Sequence, residues 1–373
     1  MSADRRSRPP FAHISFFPAA SLYSAAAVLV WVWGLTGPGS VPPGLSNPAG
    51  HAHEMLFGYA FAVVAGFLLG RRPVPVTAAL LGAWALARLA FLLRPGSGAA
   101  VMAAAVFGIA VAFCVVPPFA RSARKWRNRS MVVIITGLAG ASVLAARWAG
   151  EPASSDAAPV LLAAVILLGS LMFFMGGRII APAVAGYIIR SGGRLEARVQ
   201  PALEGAGLIC LAIALVAAPL SALAPLAGAA LLAAALAAAV RMGRWRLWRC
   251  TKRPDLLVLG LGYGWLAAGL ALVGISLVTG YPALPRSVHA LTIGALGTLT
   301  VAVMARTRLL ARYRDPNASR AVHVAALLMS GAALARIVPA APGPAALWVS
   351  AGLWSGAELI LTFIVIAARG ARP

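Results

Sequence analysis

The chain has 373 residues, of which 61% are hydrophobic and 11% charged, and its net charge is +23. A soluble domain carries roughly a quarter charged residues, so the composition excludes a water-soluble globule and points to repeated membrane crossings. The basic residues sit in short clusters between long apolar runs, which argues for lipid headgroups and topology, and against nucleic acid, as the reason for the excess charge.

About 20 apolar residues span a bilayer core. Twelve such runs occur, at 19–36, 51–70, 74–93, 98–120, 130–149, 159–181, 201–218, 220–240, 255–279, 286–305, 321–340 and 344–367. Many are rich in Gly and Ala, which lets helices approach closely. Arg5, Arg6 and Arg8 precede the first run. That run is long for a signal peptide and no A-x-A site follows it, so it reads as an uncleaved helix.

Basic residues then recur at every second connection. Arg71 and Arg72 follow the second run, and Arg121, Arg124, Lys125, Arg127 and Arg129 follow the fourth. Arg190, Arg194 and Arg198 follow the sixth, and Arg241, Arg244, Arg246, Arg249, Lys252 and Arg253 the eighth. Arg306, Arg308, Arg312, Arg314 and Arg320 follow the tenth, and Arg369 and Arg372 the last. The opposite connections hold Arg94 and Arg286, while Arg88, Arg147, Arg178 and Arg336 lie within or at the ends of runs. By the positive-inside rule this alternation predicts an all-α polytopic transmembrane bundle of about 12 helices with both termini in the cytoplasm. It reads as a single integral membrane domain over 1–373, with a cytoplasmic segment at 1–18, a Pro/Gly-rich outer loop at 37–50 and a cytoplasmic tail at 368–373. Cys114, Cys210 and Cys250 form no CxxC pair and read as small core residues.

Neutral imidazole is the commonest metal ligand, and ionisable groups inside a membrane are costly enough to be functional candidates. The predicted topology puts His51, His53 and His289 in the outer leaflet, at the start of runs two and ten, and His13 and His323 on the cytoplasmic side. On a helix, His51 shares a face with Met55 and points away from His53. Both histidines reach one metal only if the helix begins after His51. Otherwise one binds and the other caps or hydrogen-bonds, with Glu54 available to orient a histidine. Glu204 falls in a first helical turn, where a carboxylate is favourable. Glu358 falls mid-span, facing either a polar path or a structural partner.

The segment His51-Ala-His-Glu-Met-Leu-Phe-Gly58, followed by Ala65-Gly-Phe-Leu-Leu69, resembles the NnrS family of bacterial membrane proteins. Two further blocks carry the likeness: His289-Ala-Leu-Thr-Ile-Gly-Ala-Leu-Gly297, continuing to Met304 and Arg306, and Gly176-Gly-Arg-Ile-Ile-Ala-Pro182. Arg88 and Arg336 also fall where that family carries arginine. The resemblance covers nearly the whole chain. It implies about twelve spans in a bacterial inner membrane, bound haem and copper, and a role in the response to nitric oxide and nitrosative stress. The chain departs from the family pattern at Gly70-Arg-Arg-Pro73, where a Pro-Asn-Trp-Thr-Gly-like turn is usual. It departs again at Leu310-Ala-Arg-Tyr313, where a family histidine is missing.

A shorter likeness is to helices two and ten of haem–copper oxidases, in the spacing of His51, Met55, Phe57 and Gly66 and of His289 and Gly294. It implies a b-type haem with His51 and His289 as axial ligands, a pairing suited to electron transfer or haem storage. The high-spin haem histidine falls at Ser287, and the copper ligands of helices six and seven have no counterpart, so no oxygen-reducing centre is expected. Arg88, Arg147, Arg286 and Arg336 are the candidates to meet haem propionates, or they snorkel or pair internally. His53, Glu54 and Met55 form an alternative copper site. Two other classes fit the same helix count: a secondary transporter for a metal or small solute, and a non-enzymatic haem or copper sensor or assembly factor. Whether the chain is an enzyme stays open at this stage.

Overall fold

A computed structural model describes residues 9–122, 126–149, 157–195, 200–338 and 343–369. Arg5, Arg6, Arg8, Arg124, Lys125, Arg198 and Arg372 lie outside the described residues. Within them the chain forms twelve continuous helices and no strand: α1 His13–Thr36, α2 48–68, α3 Val74–Leu93, α4 Gly98–Ser122, α5 Trp126–Trp148, α6 Ala157–Arg190, α7 Pro201–Ala217, α8 Ala224–Arg244, α9 Pro254–Thr279, α10 Leu284–Tyr313, α11 Ala321–Ile337 and α12 Pro344–Ala367. Each coincides with one of the twelve apolar runs.

Nine stretches are helical, at least 18 residues long and apolar enough to cross a membrane. The other three helices are α7 and α11, one residue short at 17, and α2, whose apolar run His51, His53 and Glu54 interrupt. Several boundaries differ from the hydropathy reading. Helix α1 begins at His13, before residue 19, because Phe16 and Phe17 are buried and extend its packed face. Helix α6 runs to Arg190, well past 181, because Val184, Ala185 and Ile188 keep its inner face buried through Pro182.

Neighbours in sequence pack as antiparallel neighbours in space, with α8 on α9, α11 on α12, α4 on α5 and α7 on α8, and α12 closes back on α1. At the α8–α9 crossing a Cβ on Gly228 would meet the Gly274 carbonyl oxygen at 2.6 Å, and one on Gly274 would meet the Gly228 oxygen at 2.8 Å. Only glycine on both helices permits that approach. Helices α6 and α10 are the most enclosed long spans, and α2 and α9 pack beside them. Exposed leucines, valines and phenylalanines such as Phe113, Leu236 and Phe363 cover the outside of the bundle, as a lipid-facing surface requires. The connections at one end carry most of the described arginines. The opposite end carries the loop before α2.

Candidate functional site

The start of α2 is built by its loop. Asn47 caps it, accepting a hydrogen bond from Gly50 N at 2.8 Å, and Pro48 occupies the first turn. Gly50 is required there because a Cβ would sit 2.3 Å from the Gly44 carbonyl oxygen. Since the helix starts at Pro48, His51 and His53 are both helical and diverge. His51 stacks on Trp31 of α1, with ring centroids 4.9 Å apart. His53 stacks on Phe91 of α3 at 3.7 Å. The condition under which both would reach one metal is therefore not met.

Glu54 is fully buried and collects three partners. Arg88 Nη1 donates to its Oε1 at 2.8 Å, His53 Nδ1 lies 2.9 Å from the same oxygen, and Tyr23 donates to Oε2. Arg88 is also buried, so the arginine expected to meet either a propionate or a buried partner takes the buried partner. Gly58 makes room for this knot, because a Cβ there would fall 2.7 Å from Tyr23 and 3.1 Å from Arg88. His53 Nε2 is buried and faces the Ser142 backbone.

Immediately after these residues α2 changes its winding. Glu54–Ala60 is a π-helical segment, and Phe61–Leu68 returns to α-geometry. Helix α10 does the same: Leu284–His289 is α-helical, Ala290–Gly297 is π-helical and Thr298–Tyr313 is α-helical again. Such widened turns are rare and concentrate at functional sites. Here one begins directly after His53 and the other directly after His289.

His289 Nδ1 lies 2.5 Å from the Pro285 carbonyl oxygen and donates to it, and Nε2 lies 3.4 Å from Arg336 Nη2. His51 is close enough to both His289 and Arg336 to feel their charge, and its Nδ1 has no hydrogen-bond partner. The fold thus brings His51, His289 and Arg336 together at the end of the bundle opposite the arginine clusters. Among the described residues Arg336 pairs with no carboxylate, whereas Arg286 is spent on the carbonyls of Ile337 and Val338. Met55 is half-buried against the core. Among the described residues no group of three or more His, Cys, Asp and Glu side chains clusters to hold a metal ion.

An apolar cavity of about 100 Å³ lies between α2, α6, α9 and α10, lined by Val63, Met172, Leu296 and Thr300 among others. The family model described as NnrS protein matches residues 10–369. The chain belongs to the NnrS family. No curated protein matches the sequence.

A second buried cluster escaped the sequence reading. In this NnrS-family chain Glu204 of α7 does not merely favour a helix start. Arg178 bonds it at 2.8 and 3.0 Å, Arg241 at 3.2 Å, and Arg127 lies 3.6 Å away. Arg241 also donates to the Phe173 carbonyl at 2.9 Å. Gly177 leaves the space, since a Cβ there would lie 2.2 Å from Arg241 Nη2. The Gly176-Gly177-Arg178 block was the available signal, because two glycines before an arginine mark a close approach.

Proposed function

We propose that this NnrS-type membrane protein carries a b-type haem on His51 and His289 and serves in the response to nitric oxide and nitrosative stress. We place it in a bacterial cytoplasmic membrane with the arginine-rich end inside, so that the site lies in the outer leaflet. The observation that carries the reading is the nearness of His51 of α2 to His289 of α10, beside an arginine that pairs with no carboxylate among the described residues.

The residues fit the group. His289 gives its Nδ1 proton to a backbone carbonyl, so Nε2 carries the lone pair, which now accepts from Arg336 and which a metal would take in its place. His51 has a buried ring nitrogen without a partner. Arg336 offers a guanidinium fork suited to a propionate carboxylate, and we assign it that role in preference to Arg88, which Glu54 already holds. Two neutral imidazoles on haem iron would supply a low-spin centre for one-electron transfer. The protein's own part is to hold the rings: Trp31 stacks His51 and the Pro285 carbonyl orients His289.

Copper is a second reading, favoured by one observation. The Glu54 carboxylate holds His53 Nδ1, as a carboxylate commonly orients a metal-ligating histidine, and Nε2 is the buried nitrogen that a metal would have to draw away from the Ser142 backbone.

An optical spectrum with metal quantification on the purified full-length protein tests both readings. The expected result is a haem Soret band that His51→Ala and His289→Ala each alter, with Arg336→Gln lowering haem retention. A Soret-free protein after haem reconstitution refutes the haem reading, and an unchanged spectrum in both histidine variants refutes the ligands. Solute uptake into vesicles by cofactor-free protein would favour a transporter.

A further inference from the structure

Glu358 stands mid-way along α12 and is fully buried. Its Oε1 is 2.6 Å from the Tyr59 hydroxyl of α2, and that hydroxyl is 2.7 Å from Thr300 Oγ1 of α10. Thr300 Oγ1 is in turn 2.8 Å from the Leu296 carbonyl oxygen and 2.9 Å from that of Gly297. Glu358 Oε2 is buried, and the Ser21 hydroxyl is the further donor that faces the carboxyl group. Ser21 of α1 is its polar neighbour.

Among the described residues no cation answers this carboxyl group. Glu54 has Arg88, and Glu204 has Arg127, Arg178 and Arg241. Among the described residues Glu358 has no ion pair. The polar groups facing it are Ser21 from α1, Tyr59 from α2 and Thr300 behind Tyr59 from α10. Tyr59 is the one titratable group among them.

Donor counting then bears on the charge state. Hydroxyl hydrogens rotate to suit their surroundings. If Glu358 keeps its proton, the acid O–H donates to Tyr59, Tyr59 to Thr300, and Thr300 to the Leu296 carbonyl, so every hydroxyl in the chain has an acceptor. If the proton leaves, the order that satisfies the anion is the reverse: Thr300 donates to Tyr59 and Tyr59 to Glu358. That order strips the Leu296 carbonyl of its extra donor and leaves a buried anion answered only by the hydroxyls of Tyr59 and Ser21, an arrangement membranes penalise heavily.

We propose that Glu358 is an intramembrane proton-binding site: a neutral carboxylic acid whose reversible loss of a proton to solvent base reverses the hydrogen-bond chain through Tyr59 and Thr300. Thr300 also lines the apolar cavity between α2, α6, α9 and α10. It also touches both widened segments. Tyr59 belongs to the π-helical stretch of α2, and Leu296 and Gly297 end that of α10. Proton occupancy of Glu358 therefore acts on the two segments that follow the histidines, whatever those histidines bind.

Infrared difference spectroscopy on the full-length protein in lipid nanodiscs tests this without any cofactor. At neutral pH we expect a carboxylic-acid C=O band that Glu358→Gln removes and Tyr59→Phe moves to higher frequency, since the acid loses its hydrogen-bond partner. Raising the pH should replace the band with carboxylate bands, and exchanging choline chloride for sodium chloride at constant pH should leave it in place. Three results overturn the proposal: a difference spectrum of Glu358→Gln with carboxylate bands alone at neutral pH, an acid band that Tyr59→Phe does not move, or an acid band lost on adding sodium. The last would make these oxygens a cation site. If Glu358→Gln does not fold, Tyr59→Phe, which keeps the ring and its packing, decides the question.

Discussion

The buried pair of Glu54 and Arg88 offers the clearest quantitative test of how this bundle is held together. Glu54 is 0% exposed and Arg88 4%, so neither charge has water to fall back on. Replacing Glu54 by Leu leaves Arg88 buried without a counter-ion, which typically costs about 3–5 kcal/mol. The Tyr23 hydroxyl and the His53 Nδ1 proton lose their acceptor at the same time, at about 1–3 kcal/mol each where no other partner is found. These losses share one site and do not add in full, so about 4–6 kcal/mol is expected for the single variant. Replacing Arg88 by Met alone strands the carboxylate and should cost a similar amount. The double variant Glu54→Leu/Arg88→Met removes both charges and refills the volume with apolar atoms. It should recover most of the loss, to within about 2 kcal/mol of the parent. The assay is reversible unfolding of the full-length protein in mixed micelles, read as a double-mutant cycle. Additive single-variant losses in the double variant would refute the pairing, and so would a Glu54→Leu loss below about 1 kcal/mol.

The Glu204 cluster predicts an asymmetry. Arg241→Met leaves Glu204 with Arg178 and Arg127 and should cost about 1–3 kcal/mol, whereas Glu204→Leu strands the buried Arg241 and should cost about 3–5 kcal/mol; equal losses in the same unfolding assay would contradict the geometry. Gly176→Ala should destabilise by about 1–3 kcal/mol through overpacking, because its Cβ would lie 2.3 Å from the Tyr263 ring. Gly82→Ala, on a helix face with nothing within 4 Å, should be neutral or stabilising by up to about 1 kcal/mol. A thermal-shift comparison of the two variants that ranks them the other way would show that the α6–α9 contact is placed wrongly.

The buried glutamates Glu54 and Glu204, which have arginine partners, and Glu358, which has none among the described residues, point to a division of labour. Glu54 and Glu204 tie helices together, with α1, α2 and α3 joined at one and α5, α6, α7 and α8 at the other. Glu358 joins helices through hydroxyls alone, and that leaves it free to gain and lose a proton without breaking an ion pair.

Twelve helices in this order were legible from the linear chain because the relevant physics is local. A run of about 20 apolar residues reports a span, and the arginine alternation reports which runs are consecutive crossings. The segments His51–Gly58, His289–Gly297 and Gly176–Pro182 were likewise enough to indicate the family. Other features depended on contacts between distant residues. Where α2 begins hangs on the Asn47 cap and the close approach of Gly44 to Gly50, and that beginning is what separates His51 from His53. Arg88 could not be told apart from a ligand-facing arginine until α3 lay against α2 and Glu54 was seen to hold it. Tyr59 meets Thr300 and Glu358 across 241 and 299 residues. The π-helical turns have no pattern of their own in the chain, because a widened turn is tolerated only where neighbouring helices pack around it. Local hydropathy decides that a helix forms and crosses. Which polar atoms then find one another is decided by packing, since in an apolar interior each unpaired group carries a cost that only a partner from another helix can relieve.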